Sequence, residues 1–224
     1  MLYGIRLKAE KLISDAGRRD NGASNMDAYK QRFDNLVTVA AKLESFIEER
    51  LLEIPHIDRV SARAKTPDSF ATKAAKVCPD GQAKYQVPLQ QIQDQIGARI
   101  TVFYRNDVEI VADVVERYFR PIERKEIVPD SLSEFGYFGR HWILVLPDDV
   151  IPQMIDPSQI PRFFELQVKT LFQHAWSEAN HDLGYKANGS LTTDQHRRFA
   201  FTAAQAWGAD RVFEELRAEL ASVP

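Results

Sequence analysis

The chain has 224 residues, 44% of them hydrophobic and 27% charged, with a net charge of −3, which excludes a disordered or fibrous chain and one that holds nucleic acid by overall positive charge. One cysteine, Cys78, permits neither an internal disulfide nor a zinc-binding Cys-x-x-Cys pair. No apolar run nears the ~20 residues of a membrane helix, so a cytoplasmic protein without membrane association is expected, and any anionic ligand must be caught by a local cluster of charge.

Residues 1–14 scatter Arg6, Lys8, Glu10 and Lys11 among apolar residues, unlike a signal peptide, and 17–25 reads as a loop. Residues 1–26 are therefore expected as an extension of a single domain over 27–224. Tyr29, Phe33, Leu36, Ala40, Leu43, Ile47 and Leu51 recur every three or four positions and predict an amphipathic helix over 27–53. A strand follows over 57–65, then a helix that opens at Thr66-Pro67-Asp68, with Thr66 as N-cap and Pro67 at the first helical position. Residues 78–91 read as a loop. A strand over 96–104, a helix over 107–119, strands over 122–128, 141–146 and 162–170, and helices over 171–185 and 193–221 complete the chain. This order predicts an α+β fold with a mixed sheet flanked by helices.

Four groups of residues carry chemistry. In the strand over 162–170, Phe164, Leu166 and Val168 share one face, so Glu165, Gln167 and Lys169 share the other; a water-facing edge strand has the same alternation. In the next helix His174, Glu178, His181 and Tyr185 form one polar stripe. Its Glu178-x-x-His181 spacing matches di-iron bundles, which need a second such helical motif; Pro55 interrupts the one other candidate. Arg63, Lys65 and Lys73 cluster around a helix N-terminus, a polyphosphate site or a solvated basic face. Asp94 enters a strand with Arg99 five residues on, an arrangement suited to magnesium and phosphate but equally to a surface loop.

The order of these groups resembles the RelA/SpoT synthetase domain, a distant relative of nucleotidyltransferases. The resemblance rests on Arg63-Ala-Lys-Thr-Pro-Asp-Ser69 with Lys73, Asp94-x-x-Gly-x-Arg99, Gly136-Tyr137-x-Gly-x-His141, and Glu165-Leu-Gln-Val-Lys-Thr170 running into His174-Ala-Trp-Ser-Glu178-x-x-His181. It implies that Arg63, Lys65, Lys73 and Arg99 grip ATP and that Asp94 and Glu165 are the catalytic pair holding Mg2+. It further implies that Tyr137 stacks on the acceptor base, with His141, Gln167, Lys169 and His181 shaping the acceptor pocket. The implied reaction moves the pyrophosphate of ATP to the 3′-hydroxyl of GDP or GTP, making (p)ppGpp.

Three positions depart from the family pattern. Glu134-Phe135 stands where a basic residue is usual, Gly139 replaces a serine, and Asn180 an acidic residue. The toxic small-synthetase branch, some of whose members pyrophosphorylate the tRNA 3′ end or adenine nucleotides, resembles this picture too. A non-catalytic nucleotide sensor is the alternative from another class. A homo-oligomer and an antitoxin partner are the associations the resemblance suggests; the stripe of Val212, Phe213, Leu216 and Leu220 suits packing against a second copy and internal core packing equally.

Overall fold

The computed structural model describes residues 2–126, 136–137, 139–186 and 191–222. Eleven principal elements follow in order: α1 (Leu2–Leu51), β1 (Ile57–Ala64), α2 (Pro67–Ala74), α3 (Pro88–Gln91), β2 (Ile96–Val102), α4 (Arg105–Tyr118), β3 (Pro121–Glu126), β4 (Arg140–Val145), β5 (Phe163–Thr170), α5 (Leu171–Lys186) and α6 (Thr193–Ala221). The strands form one sheet in the order β1-β2-β5-β4-β3. β2 and β5 run parallel, and the other neighbours pair antiparallel. The α+β mixed sheet is thus the expected one.

The apolar stripe of α1 explains why one sheet face is closed. Leu36, Val39, Leu43 and Ile47 are buried in the same core as Ile96, Ala98 and Ile100 of β2 and Phe164, Leu166 and Val168 of β5. α4 adds Val108, Val111 and Val115 to that core. Each such side chain contributes about 1.5–3 kcal/mol when fully removed from water, so this face is the structural one. The polar residues that alternate with the β5 core residues are turned the other way.

Two stretches read as loops hold regular structure. α1 runs through 17–25, where a loop was expected; Gly17 and Gly22 each cost a helix interior only about 1 kcal/mol, and extending an existing helix fixes one residue per hydrogen bond gained. The expected loop over 78–91 holds the short helix α3 and a bridge between Val77 and Ala83.

α6 is fastened through charge. Asp107 of α4 is fully buried and takes Arg217 of α6 at 2.9 Å and the His56 ring at 3.4 Å. The α6 residues Val212, Phe213, Leu216 and Leu220 stay about half exposed or more, although the Phe213 ring stacks on Phe172. Among the described residues no helix is long and apolar enough to cross a membrane.

Candidate active site

Strand register builds the site. Antiparallel pairing sets Arg63 opposite Gly97, and parallel pairing sets Gly97 opposite Glu165. The next row joins Ser61, Arg99, Gln167 and His141, and a third joins Arg59, Thr101 and Lys169. Residues two apart on a strand share a face, so these polar side chains all rise from the face that α1 leaves uncovered. Gly97 keeps the floor between Arg63 and Glu165 open: a Cβ added there meets no atom within 4 Å. A cavity of about 240 Å³ results, lined by Arg63, Lys65, Asp94, Arg99, Glu165 and Gln167 among others.

Asp94 reaches this cavity from the turn before β2, which is held firmly. The neighbouring Gln95 side chain is buried and donates to the carbonyls of Leu89 and Ile92, while Arg32 of α1 donates to its amide oxygen. The Gln95 carbonyl accepts from Lys65 N at 2.8 Å. On the other wall, α2 starts where expected: the Thr66 side chain caps Ser69 N, and Pro67 occupies the first turn. The buried Phe70 ring stacks on Tyr29 at 3.9 Å, and the Tyr29 hydroxyl donates to Lys65 O at 2.7 Å. α1 therefore supports both the helix that carries Lys73 and the strand end that carries Lys65.

These supports bring two lysines onto one carboxylate. Lys73 Nζ donates to Asp94 Oδ2 at 2.7 Å, and Lys65 Nζ lies 3.1 Å from the same oxygen. Burial pushes the Asp94 carboxyl up, but Lys73 and Lys65 outweigh it and hold it below the usual carboxylate range. Asp94 Oδ1 is buried without a hydrogen-bond partner.

Glu165 is likewise pushed up by burial. The His141 ring nitrogen at 3.3 Å, followed by the Gln167 amide at 3.3 Å, brings it below its ordinary value. The Asp94 charge works in the opposite direction on Glu165, so the two carboxylates sense each other across the cavity. The orphan Oδ1 and the remaining lone pairs of Glu165 fit a divalent cation: magnesium is commonly bound by one or two carboxylates together with substrate phosphates. Asp94 and Glu165 are therefore the candidate metal position; among the described residues no group of three or more His, Cys, Asp or Glu gathers as a metal site.

α5 follows β5 without a loop because Thr170 serves both. Its hydroxyl accepts from Gln173 N while the Gln173 side chain accepts from Thr170 N, a reciprocal cap that starts the helix directly. The polar stripe of α5 then meets the sheet. Arg99 Nη1 lies 3.0 Å from His174 Nδ1, and Arg99 Nη2 lies 2.9 Å from Glu178 Oε1. Lys169 Nζ donates to Ser177 Oγ at 2.9 Å, and burial together with nearby Arg99 lowers the Lys169 amine to about 8.

The expected residues separate into groups. Arg63, Lys65, Asp94, Arg99, Glu165 and Gln167 share the cavity; Lys73 stands behind Asp94 and His141 beside Glu165. Lys169 lies one row further on and is buried. Tyr137 differs from the expected stacking position. It is only 6% exposed, packs with Trp176 and Ala203, and donates its hydroxyl to Asp210 of α6. In this arrangement the ring is not presented to a base. His181 is exposed on α5 and does not line the cavity. Glu134 and Phe135 lie outside the described residues, as does the Tyr185 side chain.

The contacts of His174 and Glu178 with Arg99 were not anticipated, although their one-turn spacing was the available signal. Asp210, which accepts from both Tyr137 and Thr170, left no such signal, since one acid in a charged helix looks like any surface acid. Gly139 acquires a reason: a Cβ there would lie 2.2 Å from the Val168 carbonyl oxygen, so the usual serine does not fit this backbone.

Comparison with known proteins identifies a family and a fold. Residues 62–190 match the family model described as the region found in RelA / SpoT proteins. The GTP pyrophosphokinase YjbM of Bacillus subtilis is 24% identical over 169 residues, 73% of this chain and 74% of that protein. A GTP pyrophosphokinase family protein from Streptococcus pneumoniae has a similar structure, with a TM-score of 0.67, 22% identity, and 86% and 94% of the two chains covered. Small alarmone synthetase 1 of Bacillus subtilis, solved bound to its product pppGpp, gives a TM-score of 0.65 at 23% identity and covers 87% and 95%. At these identities the structural likeness establishes a shared fold.

Proposed function

The chain belongs to the RelA/SpoT family, and from that premise we propose that it is a pyrophosphokinase that moves the β,γ-pyrophosphate of ATP to the 3′-hydroxyl of GDP or GTP. The observation that carries the reading is the single cavity in which Arg63, Lys65 and Arg99 surround Asp94 and Glu165 across Gly97. A polyphosphate needs cations that are already ordered, and Lys65 and Lys73 are ordered by Asp94 before any nucleotide arrives. The relatives named for GTP pyrophosphokinase activity and for pppGpp as product support the guanine nucleotide as acceptor.

In this reading the acceptor 3′-oxygen bonds to the β-phosphorus of ATP, the bond from that phosphorus to the α,β-bridging oxygen breaks, AMP leaves, and the hydroxyl proton passes to solvent. Asp94 and Glu165 would hold Mg2+, which when bound neutralises charge building up on the transferred phosphates. Arg63 and Lys65 bind and orient the donor, and Gly97 admits it to the sheet surface. Glu165 is held ionised by His141 and Gln167; a carboxylate below its usual range is a weak base, so its role here is to hold the ion rather than to take the proton.

The test is to incubate the full chain with ATP labelled in its β- or γ-phosphate, magnesium, and GDP, GTP, adenine nucleotides or tRNA in separate reactions. Label entering GDP or GTP with one AMP released per product is the expected result. Label entering only tRNA or adenine nucleotides would sink the guanine acceptor, and no AMP release with any acceptor would favour a non-catalytic sensor.

A further inference from the structure

His174 and Glu178 form a helical pair that the reading above leaves without a role. They sit one turn apart on α5, and their polar atoms meet the two ends of one guanidinium: Arg99 Nη1 is 3.0 Å from His174 Nδ1 and Nη2 is 2.9 Å from Glu178 Oε1. Arginine has only N–H donors, so His174 Nδ1 must accept and its remaining proton must sit on Nε2. The imidazole is thus neutral and single in tautomer. With its two amino ends both held by α5, the Arg99 guanidinium is fixed in place and in plane.

The contact is not needed to dock α5. That helix is already joined to the sheet by the Thr170 cap and by Lys169 on Ser177, and to α6 by Trp176 Nε1 on Phe199 O and Thr202 Oγ1. The Glu178 side chain is 53% exposed, which adds little to stability for a surface ion pair. What the pair does determine is where the Arg99 guanidinium stands at the rim of the cavity. An arginine free to rotate loses substantial rotamer freedom when it meets a ligand, and one fixed beforehand does not.

We propose that His174 and Glu178 are positioning residues that fix the plane and place of the Arg99 guanidinium for the donor nucleotide. The proposal rests on reading the cavity as the ATP site. It assigns neither residue a contact with substrate: both act through Arg99.

The test is equilibrium binding of a non-hydrolysable ATP analogue with an α,β-methylene bridge to the full chain in the presence of magnesium, with urea unfolding measured on every variant. Single variants are Arg99→Ala, His174→Ala, Glu178→Ala and Glu178→Gln; the doubles combine Arg99→Ala with His174→Ala and with Glu178→Ala. Loss of either hydrogen bond should weaken analogue binding by about five- to tenfold. Glu178→Gln, whose amide oxygen still accepts from Nη2, should stay within about twofold of wild type. In the Arg99→Ala background neither alanine should matter beyond about twofold, because nothing remains to be positioned.

Independent losses in that background, or single alanine variants that bind as tightly as wild type with unchanged urea midpoints, would overturn the positioning role alone. Failure of the wild-type chain to bind the analogue would overturn the donor-site reading and this proposal together. A variant that unfolds is replaced in the comparison by its conservative partner, Glu178→Gln or His174→Asn. The Asn side-chain oxygen can accept where Nδ1 does, and a tenfold loss there would count against the proposal.

Discussion

Lys73 Nζ donates to Asp94 Oδ2 across 2.7 Å, which joins the helix expected to grip polyphosphate to the carboxylate expected to hold the metal. Lys65 shares the same oxygen, leaving Oδ1 buried and unpartnered. One side chain thus orders two cations and still offers an oxygen to a third.

Asp94→Asn should remove turnover and alter acid stability together. Losing a metal carboxylate is expected to slow AMP release about a thousandfold, the equivalent of ~4 kcal/mol. Because the folded-state pKa lies below the ordinary 3.8, the native carboxylate contributes stability above the unfolded value and loses it as pH falls through the folded one. The urea midpoint of wild type should therefore exceed that of the variant most at neutral pH, with the gap closing in acid. A gap independent of pH would show that the lysines do not stabilise the carboxylate.

Lys169→Met should stabilise the protein and impair it. The Lys169 amine is lowered from 10.5 to about 8. Below about 8 both native and unfolded chains carry the proton, so the penalty for burying the charge is fully present; between about 8 and 10.5 the unfolded chain keeps a proton the native state has released, so stability rises with pH. Replacing the amine should add roughly 1–3 kcal/mol at pH 7 and flatten that rise in urea titrations. If Lys169 serves the acceptor, as its row beside Gln167 suggests, KM for GDP rises in the same variant. A variant less stable than wild type at pH 7 would contradict the assigned burial cost.

Gly139, just before β4, and Gly97 in β2 should respond differently to alanine. At Gly139 the added carbon would sit 2.2 Å from the Val168 carbonyl oxygen and 2.5 Å from Lys169 Cγ, an overlap that costs about 1–3 kcal/mol or forces the backbone to move. Calorimetry or urea unfolding reads that loss. At Gly97 the carbon meets no protein atom within 4 Å, so the fold should hold while the methyl occupies the cavity floor between Arg63 and Glu165. An overlap with substrate of similar size predicts KM for ATP raised about tenfold or more, and an unchanged KM would remove the donor from that floor.

Tyr137→Phe should cost about 1 kcal/mol of stability. The hydroxyl donates to Asp210 alongside Thr170, and the Asp210 carboxyl is pushed above its ordinary range by burial and is already short of partners at Oδ1. Urea unfolding at neutral pH measures the loss. No change would show that Asp210 draws its support from Thr170 alone.

Periodicity made the elements readable. The stripe over Tyr29 to Leu51 became the core face of α1, and alternation across Phe164 to Val168 placed Glu165, Gln167 and Lys169 on the opposite face of β5. Alternation depends only on local backbone geometry. The loop expected over 17–25 failed for a related reason: glycine lowers helix propensity by an amount that helix propagation overrides.

The sequence by itself determined which residues could do chemistry, because motif order and the two periodicities are written in neighbouring residues. It yielded the mixed sheet and the capped start of α2 at Thr66, while the grouping of Arg63, Lys65, Asp94 and Glu165 in one candidate site came from the family resemblance. Only the tertiary structure decided who meets whom. Register set Gly97 between Arg63 and Glu165, α5 closed on Arg99 through His174 and Glu178, and α6 drew Tyr137 into the interior with Asp210. Arg99 and His174 are 75 positions apart, and Tyr137 and Asp210 are 73 apart. Those pairings follow from how helices pack on a sheet, which no local pattern encodes.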